Sequence, residues 1–185
     1  MSIENCGNLI YKTDSTLEME TGVRQLLAEN KTELRNPVCD HVAFPLETIE
    51  LVIEKTVKPE KYAKIYKKIR NVVQDHIEAL ILQNPELEFR REGMWELGTL
   101  KIMKMNKSPP TSALQRHLQF SKRHLAFISL LTDSTLEVKF TIQNVVVSCK
   151  QGDLIFFPPY WTHLCEIGIT EGVDVEILHG YIDFV

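Results

Sequence analysis

The chain has 185 residues, of which 44% are hydrophobic, and its formal net charge is −4. This length and apolar content suffice for a sizeable core, so we expect residues 1–185 to form a single domain. The negative charge gives no electrostatic basis for binding nucleic acid, and no apolar stretch approaches the roughly 18 residues of a transmembrane helix. The N-terminus lacks the basic and apolar regions of a secretory signal, which indicates a cytoplasmic protein.

The N-terminal half is predicted to supply helical support, over about residues 14–85. Before it, residues 1–13 form a polar lead-in, where the segment 8–11 is at most an edge strand. A first helix is expected up to about residue 31. The strongest helical pattern starts at Pro59, a residue that suits the first helical position, and stops near Asn84. One apolar stripe recurs along it at steps of three and four residues and should pack on a sheet. His76 on this helix is expected to be partly exposed.

From about residue 95 the pattern changes from helical to extended. The expected strands are short and separated by turn residues. They cover residues 95–103, 123–131, 136–142, 145–149, 154–157 and 173–185. Helices followed by a run of short strands predict an α+β fold, with a jelly roll over about residues 95–185 backed by the N-terminal helices.

The segment 150–163, KQGDLIFFPPYWTH, organises the C-terminal half. Gly152 and Asp153 form a turn pair, because glycine accepts a positive φ and aspartate can bond its own backbone. The apolar run 154–157 is typical of a strand buried on both faces. Two prolines then end the strand, since neither can donate to a neighbouring strand. Beyond them His163 is held on a rigid corner, where an imidazole is a candidate metal ligand.

This Gly-Asp-apolar-Phe-Pro…His corner resembles one in the iron(II)- and 2-oxoglutarate-dependent oxygenases, especially their prolyl-4-hydroxylase-like branch. The resemblance covers roughly Leu97 to Val185 and includes a strand and turn at 123–133. It implies a double-stranded β-helix, also called a jelly roll, that binds iron(II) and 2-oxoglutarate. It also implies that His163 is the last ligand of a site built from two histidines and one carboxylate.

The same resemblance assigns the remaining site residues. His117 and Gln119 occupy the place of the first two ligands, and residues two apart on a strand point to the same face. The metal set is then His117, Gln119 and His163. Met105 falls near a tyrosine of the family, and with Trp161 and Arg123 it is expected to line the pocket.

Three departures from the family pattern concern the metal and the cosubstrate. Gln119 offers a neutral amide where the family has a carboxylate. Asp174 and Glu176 stand where a basic residue would grip the carboxylate of 2-oxoglutarate, and an acid would repel it. Met105 replaces the tyrosine. Lys139, on a middle strand, is an alternative anchor for the cosubstrate, although an alternating strand also favours an exposed lysine there.

Three functions are therefore open. The first is a non-haem iron(II), 2-oxoglutarate-dependent oxygenase that hydroxylates a small-molecule or peptide substrate. The second is a catalytically silent jelly-roll binding module. The third is a cupin-like metal enzyme that uses the histidines without 2-oxoglutarate. An anaerobic iron titration with and without 2-oxoglutarate separates the three functions, because only the first function requires both ligands.

Overall fold

The computed structural model of the protein describes residues 2–14, 49–53, 59–84, 95–106, 123–159, 165–171 and 174–184. Within these ranges the chain forms one helix and ten strands. The helix is α1, Pro59–Gln83. The first five strands are β1 Ile3–Gly7, β2 Ile10–Asp14, β3 Ile49–Ile53, β4 Trp95–Asn106 and β5 Arg123–Leu130. The others are β6 Thr135–Phe140, β7 Val145–Lys150, β8 Asp153–Phe157, β9 Cys165–Glu171 and β10 Asp174–Phe184. The helix expected to end near residue 31 lies outside the described residues.

The strands form two antiparallel sheets. The larger sheet has the order β1-β2-β8-β5-β10-β4-β3, and the smaller has the order β7-β6-β9. From β5 onward the chain crosses repeatedly between them, with β6, β7 and β9 in the smaller sheet and β8 and β10 in the larger. The predicted combination of helix and short antiparallel strands is confirmed at this level.

Two apolar layers lie on opposite faces of the larger sheet. The helix layer joins α1 to one face through Ile69, Val72, Val73, Ile77, Leu80, Leu97, Leu125, Phe127, Leu131, Leu154, Phe156, Leu178, Ile182 and Tyr11. The inter-sheet core fills the space between the two sheets. It contains Ile10, Ala126, Ile128, Leu130, Leu136, Val138, Phe140, Val147, Cys149, Ile155, Phe157, Cys165, Ile167, Val175, Ile177 and Tyr181. The central strands β5 and β8 are buried on both faces for this reason, as their continuous apolar sequences predict.

Helix α1 confirms the predicted helical segment and its buried stripe. Ile69, Val73 and Leu80 are at most 2% exposed and contact the larger sheet. Burying each such side chain contributes about 1.5–3 kcal/mol, so the stripe is a main support of this sheet. Among the residues that the structure describes, no helix is both long and apolar enough to cross a bilayer.

The N-terminal residues are not a polar lead-in but a β-hairpin within the larger sheet. Strand β2 pairs with β1 on one side and with β8 on the other, so it is not an edge strand. The turn places Asn8 and Leu9 at positive φ, 53° and 64°, between the paired residues Gly7 and Ile10. Two consecutive positive φ values are typical of a two-residue hairpin turn, but leucine is rare there, which hides the turn in the sequence.

His76 is 2% exposed, so its expected partial exposure is wrong. Its Nδ1 lies 2.7 Å from the carbonyl oxygen of Val72, and its Nε2 lies 2.6 Å from that of Asp14. The first contact is within α1, and the second joins α1 to the end of β2. Because the second partner is 62 residues away in the chain, the periodicity of the helix could not reveal it.

The three described cysteines, Cys6, Cys149 and Cys165, are free. Burial raises the pKa of Cys149 and of Cys165 to about 12, with a smaller contribution from nearby carboxylates. Cys6 is only half-buried. Because the thiolate is the reactive form, buried thiols that stay protonated react slowly.

We therefore expect iodoacetamide at pH 8 to label Cys6 well before Cys149 and Cys165 in the native protein. Residue-level mass spectrometry after short exposures would measure the order. A sample unfolded in urea before labelling is the control, and there the three thiols should react alike. Rapid native labelling of Cys149 or Cys165 would contradict their burial between the sheets.

Candidate functional site

The structure describes part of the predicted site. His117, Gln119, Trp161 and His163 lie outside the described residues, so their predicted roles stay predictions. Met105, Arg123 and Lys139 lie in described strands. The strands next to the predicted histidine corner are also described, since β8 ends at Phe157 and β9 begins at Cys165.

Strand β8 leads into this corner as the sequence predicts. All five of its residues are buried, and Pro158 and Pro159 follow its last residue. Gly152 has φ 86°, and the Asp153 carboxylate accepts a hydrogen bond of 3.0 Å from the backbone N–H of Lys150. The carboxylate thereby closes the turn before β8, which gives the Gly-Asp pair a structural role.

Asp153 also belongs to an ionic cluster at one side of the two sheets. The Lys12 ammonium lies 3.5 Å from the Asp153 carboxylate and 3.6 Å from that of Glu4. It also donates a 3.2 Å hydrogen bond to the carbonyl oxygen of Ser148 in the smaller sheet. Burial by itself lowers the pKa of Lys12, but the two carboxylates outweigh burial and the pKa is raised. Lys12 is thus a cation of β2 that also contacts β7 in the smaller sheet.

Lys139 lies on the outer face of the smaller sheet. It is exposed, whereas its strand neighbours Val138 and Phe140 are buried in the inter-sheet core. Its register partners are Val146 and Glu166. Successive side chains of a strand point to opposite faces, so Lys139 points away from the interior. This position does not support Lys139 as an anchor for a cosubstrate held between the sheets.

Met105 and Arg123 are placed by the backbone register of the larger sheet. Met105 pairs with Val175 on β10, and Arg123 pairs with Asp183 on the same strand. Strand β10 therefore connects two positions that were expected to line the pocket. It pairs with β4 on one side and β5 on the other, which makes it a rigid centre of this sheet.

The two acids predicted to repel a cosubstrate both lie on β10. Asp174 pairs with Asn106 of β4. The backbone N–H of Glu176 donates a 3.1 Å hydrogen bond to the Thr132 hydroxyl, which lies in the turn after β5. The neighbours of Glu176, Val175 and Ile177, both belong to the inter-sheet core. By alternation Glu176 faces away from that core, so its charge does not line the space between the sheets.

The interior face of β10 instead carries a histidine and a tyrosine. His179 and Tyr181 are each 1% exposed, and their rings meet edge to face with centroids 4.6 Å apart and an interplanar angle of 82°. The period-two spacing from Val175 through Ile177 to both residues is the signal that could have placed them on one interior face.

The predicted metal site is built from residues outside the described ranges. Within the described residues, no three His, Cys, Asp or Glu side chains are grouped to hold an ion. The predicted donors His117, Gln119 and His163 supply two imidazoles and an amide oxygen, which are suitable donors for a first-row metal ion. This set is neutral, so it fits iron(II) less tightly than a set with a carboxylate.

The fold resembles those of solved prolyl hydroxylases. A prolyl-4-hydroxylase from Pseudomonas putida aligns over 95% of this chain and 92% of its own, with a TM-score of 0.57 and 13% identity. The 2OG complex of a viral collagen prolyl hydroxylase from Paramecium Bursaria Chlorella virus-1 aligns over 97% of both chains, with a TM-score of 0.56 and 10% identity.

A third similar structure contains a bound peptide. It is a prolyl hydroxylase from Trichoplax adhaerens in complex with a peptide fragment of the hypoxia inducible factor oxygen degradation domain. It aligns over 95% of this chain and 84% of its own, with a TM-score of 0.56 and 13% identity. No protein-family model matches this sequence. No curated protein matches it either. At these identities the likeness shows a shared fold: this chain has the fold of the prolyl hydroxylases.

Proposed function

We propose that this protein is a non-haem iron(II), 2-oxoglutarate-dependent oxygenase of the prolyl-4-hydroxylase-like branch. The observation that carries the proposal is the fold likeness along at least 95% of the chain, combined with the buried β8 and the proline-terminated corner that precedes His163. In this proposal the two sheets are the walls of a double-stranded β-helix. Residues 1–185 form one domain, with α1 supporting the larger sheet from outside.

The proposed roles of the residues follow from their chemistry. His117 and His163 would hold the metal through imidazole nitrogens, and Gln119 would add a neutral oxygen donor. Met105, Trp161 and Arg123 would line the pocket. When bound, iron(II) would activate O2, the oxidant that hydroxylates a C–H bond, while 2-oxoglutarate would supply two electrons and become succinate and CO2. The substrate would be a peptide or a small molecule. A peptide is supported by the structurally similar hydroxylase from Trichoplax adhaerens, which is in complex with a peptide fragment.

An anaerobic titration with iron(II), with and without 2-oxoglutarate, tests the proposal. An oxygenase should bind the metal and then bind 2-oxoglutarate in a metal-dependent manner, as calorimetry can measure. After exposure to O2 it should release succinate, although the neutral ligand set makes us expect slow turnover. Metal binding without 2-oxoglutarate binding would favour a cupin-like enzyme. Binding of neither would favour a silent module, which the glutamine at position 119 would explain.

A further inference from the structure

We infer that the exposed side chains of Leu9 and Ile142 form a recognition surface for the apolar side chains of an uncharged peptide substrate. The inference rests on the proposed function and assigns substrate contacts that the predicted metal ligands do not provide. The observation behind it is that these two residues occupy the tips of two hairpins at one end of the two sheets.

This end is the one at which β8 stops and β9 starts, and it is here called the corner end because the predicted histidine corner connects these strands. Tyr11 pairs with Phe156, so the turn between β1 and β2 lies beside the end of β8. Phe140 pairs with Cys165, so the turn between β6 and β7 lies beside the start of β9. The rings of Phe140 and Phe157 meet edge to face across the two sheets, with centroids 5.1 Å apart. Both tips therefore flank the same end of the inter-sheet core.

The turns at the two ends of the sheets differ in composition. At the end opposite the corner end, the described turns consist of residues 132–134, Thr-Asp-Ser, and 151–152, Gln-Gly, which are ordinary turn sequences. At the corner end, Leu9 is 46% exposed and Ile142 is 53% exposed. The other exposed large apolar side chains in the described part of the chain lie on a helix and a strand. Exposed apolar residues in turns are thus confined, among described residues, to the corner end.

Leu9 is unfavourable for its own turn. Its φ of 64° lies in the left-handed region, where a β carbon crowds the following carbonyl oxygen. Glycine after Asn8 would give the Asn-Gly pair that such hairpin turns favour. Strained backbone conformations are found disproportionately at binding sites. A leucine that suits neither this backbone conformation nor exposure to water therefore indicates contact with another molecule.

The composition and the separation of the tips indicate a peptide. The tip residues 7–9 and 141–144 include no charged side chain, so they favour neither an acidic nor a basic partner. The two hairpins belong to different sheets, and packed sheets lie about 10 Å apart. An extended peptide covers that distance with about three residues, so its side chains can contact both tips at once.

Selection from an array of short random-sequence peptides tests the inference. The purified protein should retain peptides enriched in leucine, isoleucine, valine or phenylalanine and not in charged residues. Fluorescence anisotropy then measures the affinity for one retained peptide carrying a label. Leu9→Gly and Ile142→Ser should each weaken this affinity about five- to tenfold, because each removes apolar contact area. Added salt should change the affinity little, because no charged contact is involved.

Leu82→Ala is the matched control. Leu82 is an exposed leucine on α1, away from both tips, and its replacement should leave the affinity for the peptide unchanged. Thermal unfolding of each variant shows whether it is folded. Leu9→Gly should melt no lower than the wild type, because glycine relaxes the turn. Weaker peptide binding without a lower melting temperature distinguishes recognition by Leu9 from a structural role.

The inference is wrong if the wild type retains no peptides, retains them without apolar preference, or binds them no better than folded Leu9→Gly and Ile142→Ser. A lower melting temperature of Leu9→Gly would also overturn it, since the leucine would then stabilise the fold. Self-association or binding to neutral lipid vesicles that both substitutions abolish, in place of peptide binding, would assign the surface to another partner and overturn it.

The same measurements separate this inference from the proposed function. If iron(II) and 2-oxoglutarate bind but no apolar peptide is selected, the recognition surface is wrong and the oxygenase proposal stands. If apolar peptides are selected through both tips but neither iron(II) nor 2-oxoglutarate binds, the oxygenase proposal is wrong and the tips remain a peptide-binding surface. Selection that is lost only in Leu9→Gly and Ile142→Ser supports the inference.

Discussion

Replacing Leu80 by alanine is expected to lower the free energy of unfolding by about 2–5 kcal/mol, whereas Leu82→Ala should change it by less than about 0.5 kcal/mol. The two leucines lie on the same helix, two residues apart. Leu80 is 2% exposed in the helix layer, and Leu82 is 72% exposed. Both substitutions delete the same atoms from the same helix, so the difference between them reports mainly the packing of α1 on the larger sheet.

Urea unfolding followed by circular dichroism measures both variants. The midpoint of Leu80→Ala should shift to lower urea with an unchanged slope, since a changed slope would indicate a different denatured or native state. A thermal melt of the same variants gives an independent check. Equal destabilisation by the two substitutions would show that α1 does not use its apolar stripe to support the sheet.

The predictable parts of this fold are those in which local sequence and tertiary environment agree. The stripe of α1 has the helical period, and the continuous apolar run of β8 matches a strand covered on one face by the helix layer and on the other by the inter-sheet core. The prolines after Phe157 fix its end. In α1 and in β8, one short segment contains both the residues that favour its secondary structure and the pattern of apolar residues that matches its burial.

The parts that could not be predicted depend on distant partners. The hairpin of β1 and β2 has leucine at a positive φ, which no sequence rule favours. Strand β2 of this hairpin pairs with β8, about 140 residues later in the chain. Strand β4 continues through Gly98, and its register with β10 shifts there, between Gly180 and Ile182. Glycine inside a strand often marks such a bulge, but only the partner strand shows where the register shifts. His76 is buried because Asp14 provides a carbonyl from another element.

The candidate site also has one part that local sequence predicts and another part that depends on distant partners. The resemblance predicts the histidine corner from local sequence, and the turn and strand that lead into it have the expected structure. Which face of β10 meets the smaller sheet is a tertiary property, and it decides that Glu176 faces away from the interior while His179 and Tyr181 face it. An alternating pattern can group these residues, but only the second sheet shows which group is inside.

Replacing Gln119 by aspartate is expected to raise the affinity for iron(II) at least about tenfold, or about 1.4 kcal/mol. A carboxylate both donates an oxygen and neutralises part of the charge of the ion, whereas the amide only donates an oxygen. His163→Ala should lower the affinity by about a hundredfold or more, because even the loss of a group that merely orients a ligand costs about 10–100-fold. Anaerobic calorimetry with iron(II), repeated with Mn(II), measures both changes.

Lys139→Gln is the matched control for charge. It makes the net charge more negative by one unit, as Gln119→Asp does, but at an exposed position on the outer face of the smaller sheet. If metal affinity rises only in Gln119→Asp, the gain comes from a ligand and not from the overall charge, which salt screens beyond about 10 Å. Equal gains in both variants, or unchanged affinity in Gln119→Asp, would show that the segment containing His117 and Gln119 does not hold the metal.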